Sequence, residues 1–166
     1  MAPPLRRTPL TPPTLATRPA TALDDAFLFT LFKAVRAPEF AHLPLPPEQL
    51  DRLLNVQYAG QKMTYAAQYP AGHRIVLLDL NPIGRIWLYR SEGARHLVDI
   101  SLLPEFRNRG IGSALLAEAI ADARAAGEPL TCSVAALNLG SLRFHQRLGF
   151  RIVARDEVYC DLALEP

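Results

Sequence analysis

The stretch from Leu97 to Gly127 limits what this chain can fold into more than any other. It opens with Leu97-Val-Asp-Ile-Ser-Leu-Leu103, a short apolar run closed by Pro104, which predicts a buried strand. It closes with Ala114-Leu-Leu-Ala-Glu-Ala-Ile-Ala-Asp-Ala-Arg124, a run of helix formers stopped at Gly127. Between them lies Arg107-Asn108-Arg109-Gly110-Ile111-Gly112-Ser113, two arginines and two glycines at the start of a helix. The first amides of a helix lack internal partners and the helix dipole is positive there, so such a turn suits an anion. Glycine lets a phosphate approach the backbone closely. A nucleotide P-loop needs Lys before Ser or Thr, whereas Ser113 follows Gly112 directly; a dinucleotide fingerprint needs a third glycine where Leu115 stands. Neither common phosphate motif fits.

A second block, Leu130 to Phe150, reads as strand, Asn138, short helix, Gly149-Phe150 and strand. The loop Arg107-x-x-Gly110-x-Gly112 after Leu103-Pro104 resembles the coenzyme A pyrophosphate loop of the GNAT N-acetyltransferase superfamily. In the second block Asn138, Ser141, Phe144, Gly149 and Phe150 fall at the spacing found near the end of that family's domain. The resemblance covers residues 97–150 closely and the remainder by order of elements.

That order is strand, two helices, three strands, helix, strand, helix, two strands. The first strand lies within Thr14–Thr21, and helices follow from Asp24-Asp25 to Arg36 and from Pro47-Glu48 towards Tyr69. A hairpin of Arg74–Leu80 and Arg85–Arg90 turns at Asn81-Pro82-Ile83-Gly84, and a last hairpin joins Arg151–Ala154 to Val158–Leu164. The expectation is an α/β fold of the GNAT type, a mixed central sheet of about seven strands flanked by about four helices.

With 166 residues, 49% of them hydrophobic, the chain has enough material for one domain with a real core, placed at residues 14–166. Residues 1–13 hold five prolines and two arginines and no acid, and read as a disordered tail. A net charge of +2 gives no argument for nucleic acid, and no apolar run approaches the length that spans a membrane. Cys132 and Cys160 read as reduced core residues, which together with the missing signal segment suggests the cytoplasm. No metal-ligand spacing and no serine-nucleophile motif is present.

The resemblance implies acetyl-CoA as cofactor. Its binding residues would be Leu102 and Leu103, the loop Arg107, Asn108, Arg109, Gly110, Ile111, Gly112 and Ser113, and Asn138, Ser141 and Phe144. It implies direct transfer of the acetyl group to an amine in a ternary complex. Within the strand, Leu97, Asp99, Ser101 and Leu103 are expected on one face, and Asp99 is the only acid there. Some family members place a glutamate base at this level; the alternative is that Asp99 only bonds a neighbouring strand or an arginine. The amide of Leu103 is a candidate for polarising the thioester oxygen. Where many members carry a tyrosine acid, this chain has His145, with Tyr159 as a second hydroxyl. These departures leave open a protein that binds acyl-CoA without transferring it.

In the second helix Gln57, Gln61, Tyr65 and Tyr69 recur every four residues and share one face. That face is either a half-exposed helix surface or a wall of the acceptor pocket. Small metabolite, amino acid, polyamine, aminoglycoside and protein amino group all remain open as acceptors, a small-molecule amine being the first expectation. Homodimerisation, common among such folds, also stays open.

Overall fold

The computed structural model describes residues 13–70 and 72–166; the expected Pro-rich tail lies outside the described residues apart from Pro13. The chain forms β1 (Leu15–Pro19), α1 (Asp25–Arg36), α2 (Pro47–Gln68), β2 (His73–Leu78), β3 (Asn81–Ser91) and β4 (Ala94–Leu102). It continues with α3 (Ile111–Ala126), β5 (Leu130–Ala135), α4 (Leu139–Arg147), β6 (Arg151–Arg155) and β7 (Tyr159–Leu164). The strands make one sheet in the order β1-β2-β3-β4-β5-β7-β6. Every neighbouring pair is antiparallel except β4 and β5. The α3 segment between that parallel pair is the crossover a parallel connection requires.

Both faces of the sheet are covered. On one, Val76, Ile86, Leu97, Leu130 and Leu162 pack with Leu115, Leu116 and Ile120 of α3 and Leu142 of α4. Cys132 and Cys160 are buried, free thiols in this core. On the other, Ile75 and Leu77 meet Leu28 and Phe32 of α1 and Leu54 and Tyr58 of α2. Prolines open α2 at its first turn, where no amide hydrogen is needed.

Two local features differ from the sequence reading. The β2–β3 turn lies at Asp79 and Leu80, both left-handed (φ 49° and 69°), with Leu78 opposite Asn81. This is the twist-matched geometry of a two-residue hairpin, filled by a leucine that gives no turn signal. Asn81 and Pro82 instead start β3, and a register shift after Val76 leaves Ile83 as the extra residue. The second feature is a bulge in β4: Trp87 faces Asp99 while Leu88 faces Leu97, so Val98 is unmatched. The extra residue reverses the side-chain alternation. Leu97 therefore enters the core beneath α3, while Asp99 and Ser101 face α1 and α2, and the single-face expectation fails.

β3 and β4 approach closely at Gly84, where a Cβ would stand 2.3 Å from the Ser101 carbonyl oxygen and 2.6 Å from Leu102 Cδ2. Backbone cannot give way as a side-chain tip can. Gly84→Ala is expected to cost roughly 1–3 kcal/mol, the usual range for overpacking. Calorimetric unfolding reads this directly, and an unchanged Tm would contradict the close approach.

Candidate active site

The parallel pairing of β4 and β5 stops early. Only Arg95, His96 and Leu97 match Leu130, Thr131 and Cys132, and beyond the bulge the strands separate. In the β3–β4 ladder Ser101 lies opposite Arg85, and the Leu103 amide donates to the Ile83 carbonyl at 2.9 Å. Alternation along the ladder then turns the backbone groups of Ile100 and Leu102 towards the opened edge. This corrects the expectation for Leu103: its amide is already engaged with β3, and the groups at the opened edge belong to Ile100 and Leu102, of which the Leu102 carbonyl accepts from Arg107.

A cleft of about 660 Å³ occupies the opening. It brings together Leu102, Arg107, Asn108, Gly110, Gly112, Ser113, Asn138, Ser141, Phe144 and His145 from the predicted set. Asn108 and Gly110 are left-handed (φ 58° and 78°), curling the loop so that α3 starts abruptly. The first intrahelical bond at this end runs from the Ala114 amide to the Gly110 carbonyl, which leaves the preceding amides directed outward. Arg107 ties the loop to the sheet, its Nε donating to the Leu102 carbonyl at 2.9 Å. Gly112 is where α3 meets Phe144: a Cβ there would lie 3.3 Å from the ring. Two loop side chains point elsewhere, Arg109 over the Phe106 ring at 5.6 Å and Ile111 into the core beneath α3.

Asn138 caps α4, its side-chain oxygen accepting from the Ser141 amide at 3.0 Å. His145 is 3% exposed and packs edge-on against Phe144 and Phe150. Its Nδ1–H donates to the Ser141 carbonyl at 2.8 Å, and Nε2 is buried without a partner among the described residues. Burial holds its pKa below the ordinary imidazole value. In that neutral tautomer Nε2 is an acceptor, so the expected role as proton donor does not match the ring's bonding. Tyr159 opens β7 with about half its surface exposed.

Asp99 lines neither cleft wall but joins residues that do. Ser101, in the cleft, donates its hydroxyl to Asp99 at 2.9 Å. Arg85 meets Asp99 Oδ2 with both Nε and Nη2 at 2.7 Å, the side chains being 11% and 22% exposed. Asp156 and Asp161 are engaged locally, the first capping the amides of Val158 and Tyr159 and the second accepting from Ser133.

The α2 stripe faces the sheet. Tyr65 meets Trp87 edge-on, Tyr69 stacks on His96, and Gln57 Oε1 is buried and unpartnered. Gln61 and Tyr65 line a second cavity of about 440 Å³ with Tyr58, His73, Arg85 and Trp87. Sequence reasoning missed Arg85, His73 and Ile100. A charged residue inside the apolar strand Ile83–Leu88 was a usable signal for the first; nothing local marked the other two.

His73 stacks on Trp87 (4.7 Å, 7°), and burial with help from the Arg85 charge lowers its pKa to about 4. The unfolded chain therefore takes up a proton first as pH falls, and stability linked to His73 is lost between about 6.5 and 4. His73→Phe keeps an aromatic stack and is expected to flatten stability over that window in denaturant titrations. An unchanged slope would place the pH dependence elsewhere.

A mixed sheet that opens between parallel strands beside a glycine-started helix defines a class of α/β proteins with an anion-receptive cleft. The chain belongs to the acetyltransferase (GNAT) family, whose model matches residues 38–150. Solved structures share the fold. The PaiA N-acetyltransferase of Thermoplasma acidophilum, in complex with coenzyme A, has 18% identity and a TM-score of 0.71, covering 92% of this chain and 99% of that one. The ribosomal-protein-S18-alanine N-acetyltransferase of Escherichia coli has 16% identity and a TM-score of 0.63, covering 92% and 94%. A GNAT family acetyltransferase of Elizabethkingia anophelis, with acetyl-CoA bound, has 19% identity and a TM-score of 0.58, covering 92% and 98%. No curated protein matches the chain. Among the described residues no helix is long and apolar enough to cross a membrane.

Proposed function

We propose that this protein is an acetyl-CoA-dependent N-acetyltransferase that passes the acetyl group directly to an amine in a ternary complex. The observation that carries this reading is the cleft where β4 leaves β5 beside the free amides of α3. The residues there fit the cofactor: glycine at position 112 keeps Phe144 close to the helix start, and His145, whose Nε2 is orphaned, is among the residues lining the cleft. The curled loop 107–113 suits a pyrophosphate, and the outward groups of Ile100 and Leu102 suit an extended, amide-bearing arm.

Acetyl-CoA supplies an acetyl group activated as a thioester. The protein's task is to place an uncharged amine against it and to keep water away. Asp99 is the group that attracts the acceptor's ammonium form and takes its proton, through a water because the side chain is short. Ser101 and Arg85 fix the carboxylate from two sides. The Ile100 amide, in place of Leu103, is the donor directed at the edge where charge develops. His145 accepts a hydrogen bond from a water or thiol at Nε2. Both cysteines are buried, and burial pushes the Cys132 thiol up to about 12, which disfavours an acyl-cysteine route. Residues 14–166 act as the domain, in the cytoplasm.

The test is mass spectrometry of products after incubation with acetyl-CoA and a broad panel of primary amines. An N-acetylated amine formed only with active protein is the expected result. Tight coenzyme A binding with no acetylated product from any amine would point instead to an acyl-CoA-binding protein without transfer.

A further inference from the structure

The second cavity, under α2, is lined from β3 by Arg85 and Trp87, and Arg85 connects it to Asp99 of β4. Arg85 is 9% exposed, and its guanidinium spends Nε and Nη2 on one oxygen of Asp99. Its Nη1 makes no bond to another described residue. Nearby, His73 Nε2 is buried and also unpartnered. A buried polar group left unpaired costs roughly 1–3 kcal/mol, so the orphaned His73 Nε2, on the same cavity as the unspent edge of the Arg85 guanidinium, points to a ligand that completes it. A guanidinium edge beside a neutral imidazole suits a planar oxyanion, which accepts from both. Leu28, Ala66 and the rings of Tyr58, Tyr65 and Trp87 give the cavity an apolar, aromatic part, with Thr21 and Gln61 as neutral polar groups on its wall. At the mouth Lys62 and Asp25 pair with each other at 2.6 Å and leave little net charge for an extended polycation.

We propose that this cavity recognises the acceptor, and that the acceptor is a free α-amino acid with an apolar or aromatic side chain. Its carboxylate takes Arg85 Nη1 and His73 Nε2, its amine lies at Asp99, and its side chain enters the apolar part of the cavity. The inference rests on the transferase reading, which gives Asp99 the amine. Asp99 and Arg85 are in direct contact, and an acceptor with amine and carboxylate on one carbon brings its two groups equally close together. An amine at a peptide terminus lacks the adjacent carboxylate, and a polyamine has none.

The experiment compares kcat/KM, by thiol release, for L-leucine and L-phenylalanine against their carboxamides, with spermidine and a tripeptide in parallel. The carboxamides have the less basic amines, so intrinsic reactivity at neutral pH favours them. The amino acids are nevertheless expected to be better by roughly 100-fold, the order seen when a site's buried polar groups lose their partner. Equal or faster turnover of the carboxamides, or turnover of spermidine or the tripeptide alone, would overturn the inference and leave the transferase standing. No release with any amine would overturn both. His73→Phe should raise KM for the amino acids about tenfold, the loss of one hydrogen bond to a charged group, and raise KM for the carboxamides by a clearly smaller factor, the loss of a neutral one. A parallel change for both would make His73 structural and remove it from the site.

Discussion

Gly112→Trp is expected to abolish coenzyme A binding while the fold survives. Gly112 is the second residue of α3, on the cleft wall, with Phe144 only 3.3 Å from where its Cβ would stand. An indole there has to enter the cleft, because α3 and the α4 ring close the other directions. It both fills the space a pyrophosphate needs and covers the outward amides that would bind it. Losing several charge-assisted hydrogen bonds at once corresponds to at least a thousandfold in affinity, about 4 kcal/mol. Isothermal calorimetry with coenzyme A reads the affinity, and circular dichroism with Tm reads the fold. Gly112→Ala, which asks Phe144 to move by only a few tenths of an ångström, should give an intermediate loss. Wild-type affinity in the Trp variant would remove the α3 start from the binding site.

Asp99→Asn should lower turnover by roughly 100-fold, the lower end for loss of a general base that acts through water. The loss should be largest at low pH, where few acceptor amines are free, and should shrink as pH rises towards the amine's own pKa. Cofactor affinity should be unchanged, because Asp99 reaches the cleft only through Ser101. The substitution also leaves Arg85 without its counter-charge. Since Asp99 is 22% exposed, that cost falls below the roughly 3–5 kcal/mol of a fully buried pair. Asp99→Glu keeps charge and bonding capacity, and should recover a good part of the rate. A pH profile in the Asn variant that follows wild type would return Asp99 to a purely structural ion pair with Arg85.

The parts of the fold written in local chemistry could be read from the sequence. Pro104 closes a strand and Gly127 closes a helix, which the structure places at β4 and α3 with a turn between them, and Asn138 caps α4. Helical spacing alone put Gln57, Gln61, Tyr65 and Tyr69 on one side, but that Tyr65 and Tyr69 meet Trp87 and His96 of the sheet was not legible from it. What escaped depends on partners distant in the chain. The unmatched residue Val98 is defined by pairing with β3, and it reverses Leu97 against Asp99. The engagement of the Leu103 amide depends on Ile83, twenty residues earlier. The Asp79–Leu80 turn was hidden by Asn81-Pro82, a stronger turn signal two residues on. Arg85 shows the same limit: its charge was visible in an apolar run, but its contact with Asp99 needed the register of β3 against β4.

Initial rates of thiol release, with acetyl-CoA and the amine varied together, would decide most directly between transfer in a ternary complex and its rivals. Release that depends on the amine, with reciprocal plots that intersect, is the predicted result. Release without amine, or parallel plots marking an acetylated protein as intermediate, would contradict direct transfer at the opened edge of β4.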